Sequence, residues 1–471
     1  MIEWIIAGVL YGFFIGLVPV AGATLGLIAL YGFASSFTDP YTLVAFTTAI
    51  VVSSSIGDSF CSIVLNIPGA GGAAATMVDG FPMSQRGEAA RALSAAISTS
   101  WINGLIWGLS VFLLLPYYAE IIMYFGTKEM FSFLIFAMVT IVFISSKYWI
   151  RGIIALCAGV AVGHVGLDPS SGAERWTMGI EYLGDGVQFI PIMAGVIAFP
   201  ELLAAYFNKP QKVTLDDGTI MAQLKQGWHD SWRYKWDGLR GGLIGAFVGL
   251  VPGIGGNIAD WFAYAQTKKE RVGDVRGVVG CEGANNAQKA TSYVPTILFG
   301  IPGAPFEVII MGLFMYVGLE MGTPDVLADQ KFFSTLTESY ILSIILILPL
   351  AYLFIKYAVK ITTIPFVYYF WPILACLIWS SVQYTGFIED YIMFFVCCMV
   401  GIVMRYLKFS RISFIIGFVL SERIEKSYLQ FTSLYEWEDL LYSNIALLFI
   451  ALAFMSLIWG LFFNKSKIDF V

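Results

Sequence analysis

The sequence predicts an all-α polytopic membrane protein of about 10–12 membrane segments, several broken or re-entrant, in two internally related halves of inverted orientation. Three observations carry this reading: an apolar composition, a repeat near half the chain length, and glycine-proline interruptions inside apolar runs. The chain has 471 residues, 58% hydrophobic and 13% charged, with a mean hydropathy of +0.76. A soluble domain carries roughly twice that charge. Runs such as Trp107–Leu115, Met130–Ile144 and Ile341–Ile355 recur along the chain. Soluble enzymes, nucleic-acid binders and disulfide scaffolds are excluded, and the expected surroundings are a lipid bilayer. The six cysteines form no C-x-x-C motif and mostly lie in apolar runs, as buried small hydrophobes do. His164 and His229 lack metal-ligand spacing, so no metal or cofactor is expected. Met1-Ile2-Glu3-Trp4 has neither a basic region nor a cleavage site, so Ile5–Leu30 does not read as a removable leader.

Gly16-Leu17-Val18-Pro19 returns as Gly249-Leu250-Val251-Pro252, and Ile67-Pro68-Gly69 returns as Ile301-Pro302-Gly303. The offsets, 16 to 249 and 67 to 301, are 233 and 234 residues, which points to duplication. The expected halves are residues 1–207 and 237–471. A polar stretch at 208–236, with Lys209, Lys212, Lys225, Arg233 and Lys235, reads as a cytoplasmic linker. Equivalent loops carry opposite charge bias. The loop 31–41 has Asp39 and no base, whereas 266–277 sets Lys268, Lys269, Arg271 and Arg276 against Glu270 and Asp274. After the Ile-Pro-Gly elements the bias reverses: 79–91 is neutral, and 320–331 has Glu320, Asp325 and Asp329 against Lys331. An inverted repeat produces this pattern.

The stretch 241–266 has basic residues at both ends, too little length for two spans, and Pro252-Gly253-Ile254-Gly255-Gly256-Asn257 at its midpoint. Two half-helices that enter and return fit it. Proline removes a backbone donor and glycine permits positive φ, so such runs unwind helices, and unwound backbone survives in a bilayer only where buried or cavity-lining. The same argument covers 18–22 (Pro19, Gly22), 66–72 (Asn66, Pro68, Gly69) and 300–305 (Pro302, Gly303). Freed amides at half-helix N-termini suit anions, and freed carbonyls suit cations. Glu282-Gly283-Ala284-Asn285-Asn286 leads into the fourth break, and Ser53-Ser54-Ser55 with Asp58 occupies the related region of the first half. Ionisable groups at this depth point to function. The candidate binding residues are therefore Pro19, Gly22, Ser54, Asp58, Asn66, Pro68, Gly69, Pro252, Gly253, Gly255, Asn257, Glu282, Asn285, Asn286, Pro302 and Gly303, with a possible Na⁺ position near Asn285 and Asn286.

Asn66-Ile-Pro-Gly, Thr76-Met-Val-Asp-Gly-Phe-Pro-Met83, Gly163-His-Val-Gly-Leu-Asp-Pro169, Val251-Pro-Gly-Ile-Gly255, Glu282-x-Ala-Asn-Asn286 and Gly300-Ile-Pro-Gly303 resemble the large membrane subunit (TctA-like) of tripartite tricarboxylate transporters. The resemblance spans about residues 8–324 in ordered blocks. It implies a secondary permease of a bacterial or archaeal inner membrane that imports citrate or another small carboxylate, coupled to Na⁺ or H⁺. It also implies two partners, a small four-helix membrane subunit and an extracytoplasmic solute-binding protein. The chain departs from the family pattern at Val20, Asp58, Asp260, Glu307 and Lys289. The four charged departures lie near expected breaks, and Lys289 is expected to pair with one of the acids.

Two other classes are weaker. An intramembrane enzyme needs a nucleophile and base, but Ser54 and Asp58 at i, i+4 are helix neighbours, not a triad. A channel would show repeated polar rings. The cluster Arg405, Lys408 and Arg411, and the tail lysines Lys465 and Lys467, read as cytoplasmic charge.

Overall fold

The structure is a computed structural model that describes residues 1–19, 22–69, 73–145, 148–168, 172–207, 219–252, 256–267, 270–362, 364–382 and 387–462. Gly253, Gly255, Lys465 and Lys467 lie outside the described residues, as does the side chain of Asn257. The chain is an all-α polytopic membrane protein. Five of its described helices are long and apolar enough to cross a bilayer, and five shorter apolar helices of 10–17 residues accompany them.

In chain order the first elements are α1 (Ile2–Gly16), α2 (Gly22–Tyr31), α3 (Pro40–Leu65), α4 (Thr76–Gln85), α5 (Ala89–Ile122), α6 (Thr127–Ser145), α7 (Trp149–Gly163) and α8 (Phe189–Phe207). A short hairpin, β1 (Gly166–Leu167) with β2 (Glu174–Arg175), joins α7 to α8. Then come α9 (Ile220–Arg233), α10 (Lys235–Gly249), α11 (Gly256–Ala265), α12 (Val275–Thr291), α13 (Tyr293–Phe299) and α14 (Pro305–Tyr316). The last are α15 (Pro324–Leu327), α16 (Gln330–Thr362), α17 (Val367–Val382), α18 (Glu389–Tyr406), α19 (Arg411–Leu434) and α20 (Asn444–Phe462).

Helices α1 and α10, 15 residues each, and α2 and α11, 10 residues each, rise about 22 Å and 15 Å. Both lengths fall short of a bilayer core of about 30 Å. The central elements are α3, buried from Leu43 to Leu65, and α12, buried along nearly its whole length.

The two short helices are seated on the two central ones in one register. On α1, Gly8, Gly12 and Gly16 press against the carbonyls of Phe46, Ile50 and Ser54 of α3. On α10, Gly241, Gly245 and Gly249 press against those of Gly280, Ala284 and Gln288 of α12. A side chain at any of the six would overlap backbone, so glycine every fourth residue is what lets the helices approach this closely. Gly8 and Gly241 are 233 positions apart, and Phe46 and Gly280 are 234 apart.

The stretch expected as a linker is partly helical. Its described second part forms α9, which buries Leu224, Gly227, Asp230 and Ser231 along one face. Ser94 of α5 donates to the Leu224 carbonyl at 2.7 Å, and Ser98 meets Ser231 at 2.5 Å. A buried stripe at helical spacing packs even when the other positions are polar, and overall polarity hides it.

Within α5, Gly104–Gly108 winds as a π-helix. The Tyr340 hydroxyl of α16 donates to the Gly104 carbonyl at 2.7 Å, an insertion that accounts for the local widening. All six cysteines are free; Cys157 is exposed, against the expectation of burial, while Cys61, Cys281, Cys397 and Cys398 are buried.

Candidate functional site

Helices α3 and α12 cross antiparallel, and their meeting faces are polar. Ser59 donates to Glu282 Oε1 at 2.8 Å, and Asn285 Nδ2 donates to the Ser55 carbonyl at 3.1 Å. One turn back along α3 is thus matched by one turn forward along α12. From α4, Thr76 also donates to Glu282 Oε1 at 2.7 Å, and Asn285 Nδ2 lies 3.3 Å from Oε2. Glu282 is fully buried, so these three donors replace the water its carboxylate would otherwise require. Ser59 and Thr76 are contacts that composition alone did not single out, though Thr76 opens one of the family-like blocks.

Lys289 resolves to Asp58 as its partner, with Nζ 2.9 Å from Oδ2. The pair links α3 to α12 across 231 positions, and both groups are buried. Among the described residues, Lys289 is the only buried Lys or Arg. Asp58 Oδ1 and Asn285 Oδ1 are buried acceptors that meet no donor. Asn286 Nδ2 reaches the Ser100 carbonyl at 3.4 Å. Beside the pair lies a small cavity lined by Val51, Val52, Asn286, Lys289, Tyr293 and Tyr340 among others.

Of the four breaks, the one at 300–305 is described throughout and the one at 66–72 is described over 66–69. Helix α3 ends at Asn66 (φ 58°, ψ 34°) and α13 ends at Gly300 (φ 62°, ψ 32°), both left-handed. Asparagine and glycine tolerate this conformation best. Gly69 then folds back so tightly that a Cβ there would overlap the Asp58 backbone.

The helices that restart after the breaks have carboxylates at their N-termini. The Ala75 amide, at the start of α4, donates to Asp260 Oδ2 of α11 at 2.5 Å. The Gly303 and Ala304 amides, at the start of α14, donate to Glu307 Oε2 at 2.5 and 2.9 Å. Glu307 is the third helical residue after a proline at the first, so it caps its own helix.

The other candidates fall as follows. Pro19 and Gly22, with φ 48° at Gly22, flank the first break and are buried. Pro68 is half-buried, while Pro252, Pro302 and Gly303 are buried at their turns. The Asn66 side chain is exposed, so its described contribution is the backbone turn. Ser54 donates to the Val51 carbonyl of its own helix at 3.1 Å, the ordinary back-bond of a helical serine. Arg405 and Arg411 both reach Glu201. Among the described residues, no group of three or more His, Cys, Asp or Glu is disposed to hold a metal ion.

One contact outside the expectation fastens the last break. Arg423 of α19 donates to the Phe299 carbonyl at 3.0 Å and to that of Met321, placing a cation at the C-terminal end of α13. It occupies space that side chains at Gly300 and Gly322 would take. No local signal in the sequence marks this arginine.

Broken helices around a buried polar centre define a transporter-type polytopic membrane protein. The family comparison agrees. Residues 2–416 match the model of the tripartite tricarboxylate transporter TctA family, and the chain belongs to that family. It is 29% identical over 377 residues to an uncharacterised 52.8 kDa protein in the TAR-I ttuC' 3'region of Agrobacterium vitis, covering 78% of this chain and 74% of that one. A second protein of the same organism, in the TAR-II ttuC' 3'region, is 35% identical over 131 residues, 25% of this chain and 52% of that one. No solved structure matches.

Proposed function

We propose that this chain is the permease subunit of a secondary transporter that imports a small organic carboxylate across a bacterial or archaeal inner membrane, coupled to Na⁺ or H⁺. It works with a small four-helix membrane subunit and an extracytoplasmic solute-binding protein. The observation that carries the reading is the buried centre at the α3–α12 crossing, where Asp58, Glu282, Asn285 and Lys289 meet beside the turn at Asn66–Gly69. Such a centre is costly in a membrane, and its default explanation is a substrate or ion path. The unpartnered acceptors Asp58 Oδ1 and Asn285 Oδ1 favour a coupling cation or proton there.

The shared seating of α1 on α3 and α10 on α12, with the antiparallel crossing of α3 and α12, supports two inverted halves, 1–207 and 237–471. Movement of one bundle of elements against the other around the crossing would expose the centre to each side in turn. No covalent step is required, and the chain is not proposed as an enzyme.

The test is uptake of radiolabelled carboxylates into proteoliposomes that also contain the small subunit and binding protein, under imposed Na⁺ or H⁺ gradients. Gradient-driven uptake that Asn285→Ala abolishes in a protein that still folds is the expected result. Absence of gradient-driven uptake for every carboxylate tried overturns the proposal.

A further inference from the structure

We infer that Lys289 is a tethered cation standing where a coupling Na⁺ would bind, so that transport by this chain is driven by H⁺, exchanged at Asp58, and is independent of Na⁺. The inference deepens the transporter reading above and rests on it. Its ground is the place of the ion pair. Ser55 and Lys289 are 234 positions apart, the offset of the Ile-Pro-Gly copies, so each is the other's counterpart. Both stand at the crossing. The Ser55 carbonyl is held by Asn285, one turn before Lys289, and Lys289 reaches Asp58, three residues after Ser55. Counterparts this close mark the axis that relates the two halves. The flanking contacts mirror each other as well: Ser59 meets Glu282, and their counterparts Tyr293 and Thr48 lie together. The pair is therefore at the middle of the crossing, where a transporter of inverted halves keeps its coupling ion.

Charge and space decide which ion. A Na⁺ bound to the open acceptors, Asp58 Oδ1 and Asn285 Oδ1, would sit beside the Lys289 ammonium, itself 2.9 Å from Asp58 Oδ2. Like charges so close repel strongly away from water. The ammonium already gives Asp58 the opposite charge that a buried carboxylate needs. The adjoining cavity has room for about one water, enough to pass a proton and too little for a hydrated ion. The titratable groups around the pair are Cys61 of α3, Glu282 of α12, Tyr293 of α13 and Tyr340 of α16. From α1, α4 and α5 come glycine, threonine and serine. Farther out, Asp260 faces Glu282 and Glu307 faces Tyr293. None of these is a second cation.

The step moves one proton. In the form described, the Lys289 ammonium faces the Asp58 carboxylate. Loading adds a proton at Asp58 Oδ1, which leaves a neutral carboxyl beside the ammonium and one more positive charge in the core. An anionic substrate held elsewhere in the protein offsets that charge. Release of the proton on the opposite side restores the ion pair and removes the attraction.

The experiment measures uptake of radiolabelled citrate, succinate and propionate into the same proteoliposomes under an inward H⁺ gradient, with NaCl or KCl outside, for the parent protein and Lys289→Ala. Melting temperatures of the purified proteins are read in both salts. For the acid that is taken up, parent uptake is expected to fall roughly tenfold when a protonophore collapses the gradient and to differ little between the salts. The parent is expected to melt alike in both. Lys289→Ala vacates the place of the ammonium and keeps Asp58, so the folded variant is expected to melt higher, and to transport faster, in NaCl than in KCl. A purely structural ion pair would not create that response to Na⁺.

Parent uptake that falls roughly tenfold when K⁺ replaces Na⁺ overturns the inference and leaves the transporter reading standing. Parent uptake that survives the protonophore does the same, as does a folded Lys289→Ala that answers both salts alike. Should the variant fold in neither salt, the parent's responses decide the question alone. Failure of all three acids to be taken up in either salt overturns both readings.

Discussion

The turn after α3 and the turn after α13 share a backbone shape but are held from different places. Each helix ends in a left-handed residue, Asn66 or Gly300, and each helix that follows offers amides to a carboxylate. After α3 the carboxylate is Asp260, which arrives from α11, and the turn lies against the Asp58 backbone. After α13 the carboxylate is Glu307, three residues into the restarted helix, and Arg423 clamps the preceding carbonyl. The first turn thus depends on contact between distant elements. The second is capped locally and pinned from α19. The lesson is that equivalent backbone geometry does not imply equivalent support, so equivalent substitutions in the two turns should not cost the same.

The largest effect is expected at the ion pair beside the first turn. Lys289→Met leaves Asp58 buried and unpaired, and thermal unfolding in detergent is expected to show a loss of about 3–5 kcal/mol. Combining it with Asp58→Leu, which removes the stranded charge, should recover most of that loss. A double variant no more stable than Lys289→Met would mean that the pair is not the link between α3 and α12.

Next in size is the contrast between Gly300→Ala and Asn66→Ala. Both force alanine into a left-handed backbone, a strain of about 1–2 kcal/mol. At Gly300 the new methyl also overlaps Arg423, adding overpacking of about 1–3 kcal/mol. Equal melting temperatures for the two variants would remove the asymmetry. Asn66→Gly, in turn, is expected to cost little or nothing in the same assay.

Capping supplies a smaller comparison. Glu307→Ala strands the Gly303 and Ala304 amides and is expected to cost about 1–3 kcal/mol. Asp260→Ala strands only the Ala75 amide, and each substitution also removes one carboxylate oxygen without a partner, so the Asp260→Ala loss should be the lesser of the two. Hydrogen exchange at the starts of α4 and α14 distinguishes them by where protection falls. The smallest effect is expected at Lys426→Ala, whose i, i+4 pair with Glu422 is exposed; a change within about 0.5 kcal/mol is expected in chemical denaturation.

Much of the fold is legible in the sequence because bilayer helices declare themselves by composition and helix breaks by glycine and proline. Gly16-Leu17-Val18-Pro19 and Gly249-Leu250-Val251-Pro252 do mark the ends of α1 and α10. The Ile-Pro-Gly copies do follow the left-handed residues Asn66 and Gly300. Glu307 could have been read further: a proline at the first helical position with glutamate two residues on is a local capping pattern. The partners of Asp58 and Asp260 are another matter. They are chosen by which helix faces meet, across 231 and 185 positions, and no local pattern encodes such a meeting. Helix α9 escaped for a related reason, because its polar majority outweighs the four residues it buries. The π-helix at Gly104–Gly108 is imposed from outside by Tyr340, so nothing in that pentapeptide announces it.

The Arg423 clamp has a consequence for inheritance. The family-model match ends at residue 416, seven positions short of this arginine, yet the side chain closes a turn that belongs to the matched region. Its room is made by Gly300 and Gly322, more than a hundred positions upstream. The three residues therefore form one unit of exchange. A chimera that replaces the tail after residue 416 keeps the socket at Gly300 and Gly322 filled only if the new tail also brings a guanidinium to the position of Arg423.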